Sequence, residues 1–188
     1  MRRCTSLKHY FLIAMPQLED PDFFRSVTYI CEHSSKGAMG LVVNHPTQLS
    51  LTDILFNLGI TNCASKYASQ PIFAGGPTQR QRGFVLHRPT RKHWESSLSL
   101  HDSLSITTSR DILEAIAKNK GPKDSIVTLG YADWEAGQLE QEIANNVWLC
   151  CPADPDLLFD VPVQDRWRAA AQLAGVELSR MVLEVGHA

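Results

Sequence analysis

Tyr10–Pro46, YFLIAMPQLEDPDFFRSVTYICEHSSKGAMGLVVNHP, is the stretch that decides the fold class. Tyr10 to Met15 is a continuous apolar run, the pattern of a strand buried on both faces. Pro16 ends it, because proline donates no ladder hydrogen bond. Asp20-Pro21 favours a turn. From Ser26 to His33 the residues alternate: Val27, Tyr29, Cys31 and His33 fall on one face, Ser26, Thr28, Ile30 and Glu32 on the other. Ser34-Ser35-Lys36-Gly37 is turn chemistry, and Ala38 to Asn44 returns as a third strand, so the pair reads as an antiparallel hairpin.

Polar residues are few here. Arg25, Glu32, His33 and Asn44 sit among apolar, β-prone neighbours, where such groups must be paired or must face a cleft. An uninterrupted strand puts the Cα atoms of Cys31 and His33 roughly 6.6 Å apart on one face. That is close enough for a thiol and an imidazole to share a site.

Beyond Pro46, Ser50-Leu51-Thr52-Asp53 is a capping-box-like helix start; Ile54, Leu55 and Leu58 supply one apolar stripe and Gly59 the stop. Thr61 to Ser69 is polar and reads as a loop or a ragged helix end. Pro71 to Ala74 is a short strand entering Gly75-Gly76-Pro77, and Gly83 to His87 is another. Leu98, Leu100, Leu104 and Ile106 alternate with polar residues about His101-Asp102, the pattern of a hairpin. Thr108-Ser109-Arg110-Asp111 caps a helix that Gly121-Pro122 closes. Ser125 to Leu129 reads as a buried strand, Gly130 to Gly137 as an aromatic turn, Gln138 to Ala144 as a helix and Val147 to Cys151 as a strand. PADPD then reads as a loop, Pro162 to Ala174 as an amphipathic helix, and Met181 to Val185 as a last strand. Strands dominate the first half and alternate with helices in the second. This is an α+β pattern: a mixed, mostly antiparallel sheet with helices packed on it, rather than a doubly wound parallel fold.

The 188 residues suffice for one large domain or two small intimate ones; we read a single domain over 1–188, with a smaller inserted subdomain around 80–125 as the variant. A formal net charge of -2 sets up no global field for nucleic acid or an anionic membrane. The five cysteines show no CxxC spacing, and we read them as reduced thiols of a cytoplasmic protein. Arg2-Arg3 resembles the start of a signal peptide, but the apolar run after it is too short and Pro16 interrupts it. No stretch approaches the roughly 18 apolar residues of a membrane span. His87, His93 and His101 have no metal-ligand spacing, so no metal is expected, and no cofactor motif is present.

The chain also carries an ordered set of motifs: FLIAMP, Leu18-Glu-Asp-Pro-Asp-Phe, Arg25-Ser26-Val27, Cys31-Glu32-His33, Gly37-Ala-Met-Gly40-Leu41, Asn44-x-Pro46, Gly75-Gly76-Pro77, Leu86-His87, Thr107-Thr108-Ser109-Arg110-Asp111, Leu129-Gly130-Tyr131-Ala132, Ala136-Gly137-Gln138-Leu139-Glu140, Trp148-Leu149 and Gly186-His187-Ala188. Taken together over nearly the whole length, they resemble the AlgH-type family of bacterial proteins, also called the YqgE family. His45, Ala74 and Asp133 depart from the family pattern. The resemblance implies a compact α+β fold with a bent mixed sheet approaching a barrel, a cytosolic location and no established enzymatic activity. One branch has a name suggesting transcriptional control of exopolysaccharide synthesis.

Two functional classes compete. The first is a binding or regulatory protein whose polar cleft, lined by Arg25, Glu32, His33, Asn44, the Gly75-Gly76 loop and Gln138, takes a small anionic ligand or a protein segment. Two glycines allow backbone N–H groups to cradle an anion, or simply make a tight turn. The second is an enzyme of hydrolase or transferase type, using Cys31 or Glu142 with His33 as base; the bland alternative is a core thiol beside a hydrogen-bonded histidine. A weaker third reading is DNA regulation through the basic segment Arg80 to His93, which carries Arg80, Arg82, Arg88, Arg91 and Lys92 but little aromatic interleaving and no helix-turn-helix pattern.

Overall fold

The opening apolar run is paired on both edges and covered on both faces, Phe11 and Ile13 in one core cluster and Leu12 and Ala14 in another. The computed structural model describes residues 6–61, 63 and 66–176. In chain order the strands are β1 (Tyr10–Ala14), β2 (Val27–Ser34), β3 (Gly37–Val42), β4 (Pro46–Ser50), β5 (Pro71–Ala74), β6 (Thr78–His87), β7 (Ser97–His101), β8 (Leu104–Thr107), β9 (Ser125–Glu135) and β10 (Trp148–Pro152). The helices are α1 (Leu51–Asn57), α2 (Arg110–Ala117), α3 (Gln138–Ala144), α4 (Pro155–Asp160) and α5 (Arg166–Leu173), with a 3₁₀ turn at Val163–Asp165. The strands join in one sheet of order β10-β1-β2-β3-β9-β6-β8-β7, with β4 on β5 and β5 on β9. Every pairing is antiparallel except β5 with β9, so the fold is the expected α+β class with a mixed, mostly antiparallel sheet. The sheet curls into a half-barrel.

Curling separates two kinds of face. Inside, Phe11, Ile13, Tyr29, Leu41, Phe84 and Leu86 meet Leu157 and Leu158 of α4 and Ala170 and Ala171 of α5, which plug one end of the half-barrel. The α5 Trp167 indole donates to the Ala14 carbonyl at 2.8 Å, fixing the plug to β1. Outside, α1 and α2 cover Ile72, Val85 and Val127. Leu7 and α3 cover Leu12, Ile30 and Trp134 on the other outer flank. Each buried large apolar side chain contributes about 1.5–3 kcal/mol relative to exposure.

Several boundaries differ from the sequence pattern for local reasons. The helix after Pro46 is preceded by a strand, β4; Asp53 accepts from the Ser50 N–H at 2.7 Å, so the expected cap falls where the motif placed it. Residues 130–137 are not an aromatic turn. β9 runs unbroken to Glu135, because Gly130 at φ +76° bends the strand without ending it while Ala132 and Trp134 stay on the buried outer face. PADPD starts α4, with the Asp154 carboxylate accepting from the Asp156 N–H at 2.9 Å and Pro155 in the first turn. The helix expected over 162–174 is a 3₁₀ turn followed by α5. The strand expected at Met181–Val185 lies outside the described residues.

Leu158 is fully buried where α4 meets the inner face. Leu158→Ala is expected to cost about 2–5 kcal/mol by removing methyl groups and leaving a cavity under the plug. Urea unfolding checks this: the midpoint should fall with little change in slope.

Candidate functional site

A β-bulge decides which polar residues meet. β2 and β3 pair Ile30 with Gly40, then Glu32 with Met39 and His33 with Ala38, so Cys31 has no partner across the ladder. One extra residue shifts the phase of everything after it. Cys31 and Glu32 therefore line one cleft together with Met39. His33, opposite Ala38, turns to the outer flank under α3. The alternation that would have put Cys31 and His33 on one face is broken between them.

Their partners confirm the separation. The Cys31 thiol is buried and points at the Tyr29 carbonyl, 3.9 Å away; burial, reinforced by neighbouring Glu32, pushes its pKa far above the ordinary thiol range. A thiol so placed is a poor nucleophile. His33 Nδ1 accepts from the Leu7 N–H at 2.8 Å, which leaves Nε2 to donate to Glu140 Oε1 at 2.9 Å. The imidazole is a tie between the N-terminal segment, β2 and α3.

Glu142 is also engaged. One carboxylate oxygen accepts from the indole N–H groups of Trp134 at 2.9 Å and Trp148 at 2.8 Å; the other accepts from Gln138 Nε2 at 2.9 Å. Gln138 Oε1 in turn accepts from the Glu135 N–H at 2.9 Å. Both indoles are buried, and Phe23 stacks edge-on to Trp148 with ring centroids 5.4 Å apart. The cluster pins α3 across β9 and β10.

Arg25 and Asn44 meet at the plugged end. Asn44 Oδ1 accepts from the Val27 N–H at 2.7 Å and its Nδ2 donates to the Arg25 carbonyl at 2.9 Å. This bracket holds Arg25 at φ +50°, while its exposed guanidinium lies 5.2 Å from the Trp167 ring. Gly75 and Gly76 lie against β9. Gly75 N–H donates to the Leu129 carbonyl at 2.7 Å, and a Cβ on Gly76 (φ +152°) would come within 2.2 Å of the Tyr131 backbone. Close backbone approach accounts for both glycines. The sequence-derived site residues thus fall mainly in four places: Arg25 with Asn44, Gly75 with Gly76, Gln138 with Glu142 beside His33, and Cys31 with Glu32; Glu32 and His33 also line one open concavity of about 470 Å³ with Lys8, Lys36 and Trp134.

What the fold does assemble is the open mouth of the half-barrel, at the end opposite the plug. This cleft, of about 590 Å³, has a floor of Met39, Phe84, Leu100, Ile106 and Tyr131, and a rim that includes Glu32, Arg82, Glu95 and Asp133. β7 borders it, and among the described residues β7 pairs only with β8. His9 and His101, with ring centroids 5.7 Å apart, bring the β7–β8 hairpin against the start of β1. His9 also meets the Tyr29 hydroxyl at 2.9 Å. Sequence reasoning missed this cleft because its apolar members look like core. The two available signals were the departure at Asp133 and Arg82 inside the basic segment. That segment is mostly engaged within the chain: Arg80 pairs with Asp22 at 3.0 Å, and Arg88 with Asp124, Asp156 and Asp160 at 3.2, 2.9 and 3.4 Å. Among the described residues no group of three or more His, Cys, Asp or Glu side chains is placed to hold a metal ion, and no helix is long and apolar enough to cross a membrane.

Comparison with known proteins agrees with this architecture. Residues 11–179 match the DUF179, AlgH-like family model. The chain belongs to that family. It is 55% identical over the full length of both chains to a UPF0301 protein of Thioalkalivibrio sulfidiphilus. It is 50% identical to the UPF0301 protein YqgE of Escherichia coli, covering 97% of this chain and all of that one. The solution structure of the AlgH protein from Pseudomonas aeruginosa superposes with a TM-score of 0.78 at 48% identity, covering 100% of this chain and 99% of that one. A crystal structure from Corynebacterium diphtheriae, 24% identical, shares the fold with a TM-score of 0.71 over 92% of this chain and 89% of that one. The AlgH-type membership read from the motifs, and the bent sheet approaching a barrel that the resemblance implied, are therefore found.

Glu142→Leu strands two buried indole N–H groups and is expected to lower stability by about 2–5 kcal/mol, whereas Glu142→Gln, which keeps acceptor oxygen in place, should cost less than half of that. Equilibrium denaturation of the two variants makes the comparison. A pH effect follows from His87, which is buried with Nδ1 donating to the Arg88 carbonyl at 2.8 Å. Burial holds its pKa below the ordinary histidine value of 6.5, so the unfolded chain takes up a proton that the folded chain refuses. The stability it contributes is present above that ordinary value and is lost as pH falls through it. The urea midpoint should drop between pH 7.5 and 5.5, and less steeply in His87→Gln.

Proposed function

We propose that this chain is a non-catalytic binding and regulatory protein, and that the mouth of its half-barrel takes an extended segment of another polypeptide in which cationic and apolar residues alternate. The observation that carries this reading is the chemistry of the cleft: an apolar floor, and a rim on which Glu32, Glu95 and Asp133 outnumber Arg82. The neighbouring edge of β7 offers main-chain groups to an incoming strand, and Leu98 on it is 51% exposed. In an extended segment alternate side chains point to opposite sides, so apolar ones meet the floor while cationic ones meet the rim.

The same charges disfavour a small anion in this cleft, and the Gly75 N–H is already committed to Leu129. The enzyme reading needs Cys31 or Glu142 beside His33; a buried thiol of raised pKa and a carboxylate accepting three N–H groups do not supply it. DNA regulation draws little support from a basic segment whose main arginines are paired. The reading takes residues 1–188 as one domain, supported by the hydrogen bonding of β6–β8 into the common sheet, and takes the bacterial cytosol, where thiols stay reduced, as the setting.

The test is fluorescence anisotropy with a labelled eight-residue peptide alternating valine and lysine, against one alternating valine and glutamate. The cationic peptide should bind, with affinity falling as salt rises, and Glu32→Lys or Leu98→Asp should each weaken it at least tenfold. Equal binding of the acidic peptide, or indifference to both substitutions, would overturn the reading.

A further inference from the structure

The plugged end of the half-barrel holds a cation that has no counter-ion among the described residues. Arg166 opens α5 and is only 6% exposed. Its Nη1 donates to the Val43 carbonyl at 2.5 Å, its Nε donates to the Val161 carbonyl at 3.2 Å, and its guanidinium carbon lies 5.5 Å from the Phe73 ring centroid. These partners carry partial negative charge only. Among the described residues no carboxylate pairs with Arg166, in contrast to Arg88 nearby, which faces three. A guanidinium stays charged at neutral pH even when burial lowers its pKa, here to about 10. A buried charge of this kind is strongly unfavourable unless something neutralises it.

The remaining nitrogen shows where that something would sit. Nη2 has no hydrogen-bond partner among the described residues. Arg166 lines a cavity of about 230 Å³ together with Gln70, Lys123, Asp124, Ser125 and Phe159. Lys123 adds a second positive charge. The carboxylate on the wall, Asp124, is held by Arg88 Nε at 3.2 Å. The volume is small beside the roughly 300–1,000 Å³ of pockets that enclose drug-sized ligands, so it suits a group of few heavy atoms.

We propose that this cavity is a binding site for a small oxyanion, the carboxylate or phosphate group of a metabolite, held by Arg166 Nη2 with Lys123 at the entrance. Arginine's planar fork matches both groups. The bound anion neutralises the buried charge and ties α5 to the sheet end formed by Phe73 and Ser125. The site shares no lining residue with the mouth cleft. It therefore stands or falls separately from the peptide-binding reading.

The experiment is titration of the full chain with inorganic phosphate, and in a second arm with acetate and malonate, at ionic strength held constant with sodium chloride. Readouts are thermal unfolding and the NMR shifts of the Arg166 Nε–H and the Ser125 and Phe159 amides. The expected result is a saturable shift confined to these residues, with a rise in Tm of several degrees. Whichever arm saturates at lower concentration names the oxyanion class. Lys123→Gln, an exposed position, should weaken binding several-fold without changing the fold, and Arg166→Lys should weaken it further. Shifts that spread over the surface, fail to saturate, or persist unchanged in Lys123→Gln and Arg166→Lys would show a general salt effect and overturn the site.

Discussion

Two strands share one edge of β9, and a contact between backbones decides where one gives way to the other. β5 pairs with Val127–Leu129, β3 pairs with Ala132–Glu135, and β6 runs along the opposite edge. At the handover the Gly75 N–H binds the Leu129 carbonyl while the Gly75 carbonyl takes the Val42 N–H. Gly76 lies so close to the Tyr131 backbone that a side chain has no room. Gly130 bends β9 at the same place. The bend turns a ten-stranded sheet into a half-barrel, and the half-barrel creates a plugged end and an open one. Both candidate sites inherit their position from that contact.

The bulge at Cys31 acts on this frame as a switch of side-chain direction. Without it Glu32 would face outward and His33 inward. With it, a carboxylate reaches the mouth cleft and the imidazole is spent on joining Leu7 to Glu140. The polar residues of the N-terminal hairpin are thus divided between lining a cleft and tying the fold together by a single unpaired residue.

Most of the fold was legible in the sequence because the signals are local. A continuous apolar run gave β1, alternation gave β2, β7 and β8, and the capping motifs Ser50–Asp53 and Thr108–Asp111 gave α1 and α2. The reading of Gly130 as a turn failed because a glycine marks positive φ equally well in a turn and in a bent strand. The site was legible only in part. A bulge leaves no mark in a single sequence, so the Cys31–His33 alternation looked sound. Asn44 reads as a polar residue requiring partners and Glu142 as a catalytic candidate; their partners include backbone groups and indoles, which no spacing rule names.

Accounting for every polar hydrogen therefore separates sites from scaffolding better than residue type does. Histidine, cysteine and glutamate attract attention in a sequence, yet His33 and Glu142 have their bonds filled, and the Cys31 thiol is buried against the Tyr29 carbonyl. Arg166 attracts none, since it reads as one more charge on the helix over 162–174. Its spacing held a clue. It lies four residues before Ala170, a buried member of the apolar stripe, so an α-helix carries both on one face and directs the guanidinium inward. A charge at a stripe position must either snorkel to water or find a partner. Arg166 does neither completely: carbonyls take two of its nitrogens, the residue lines a cavity, and among the described residues no carboxylate pairs with it.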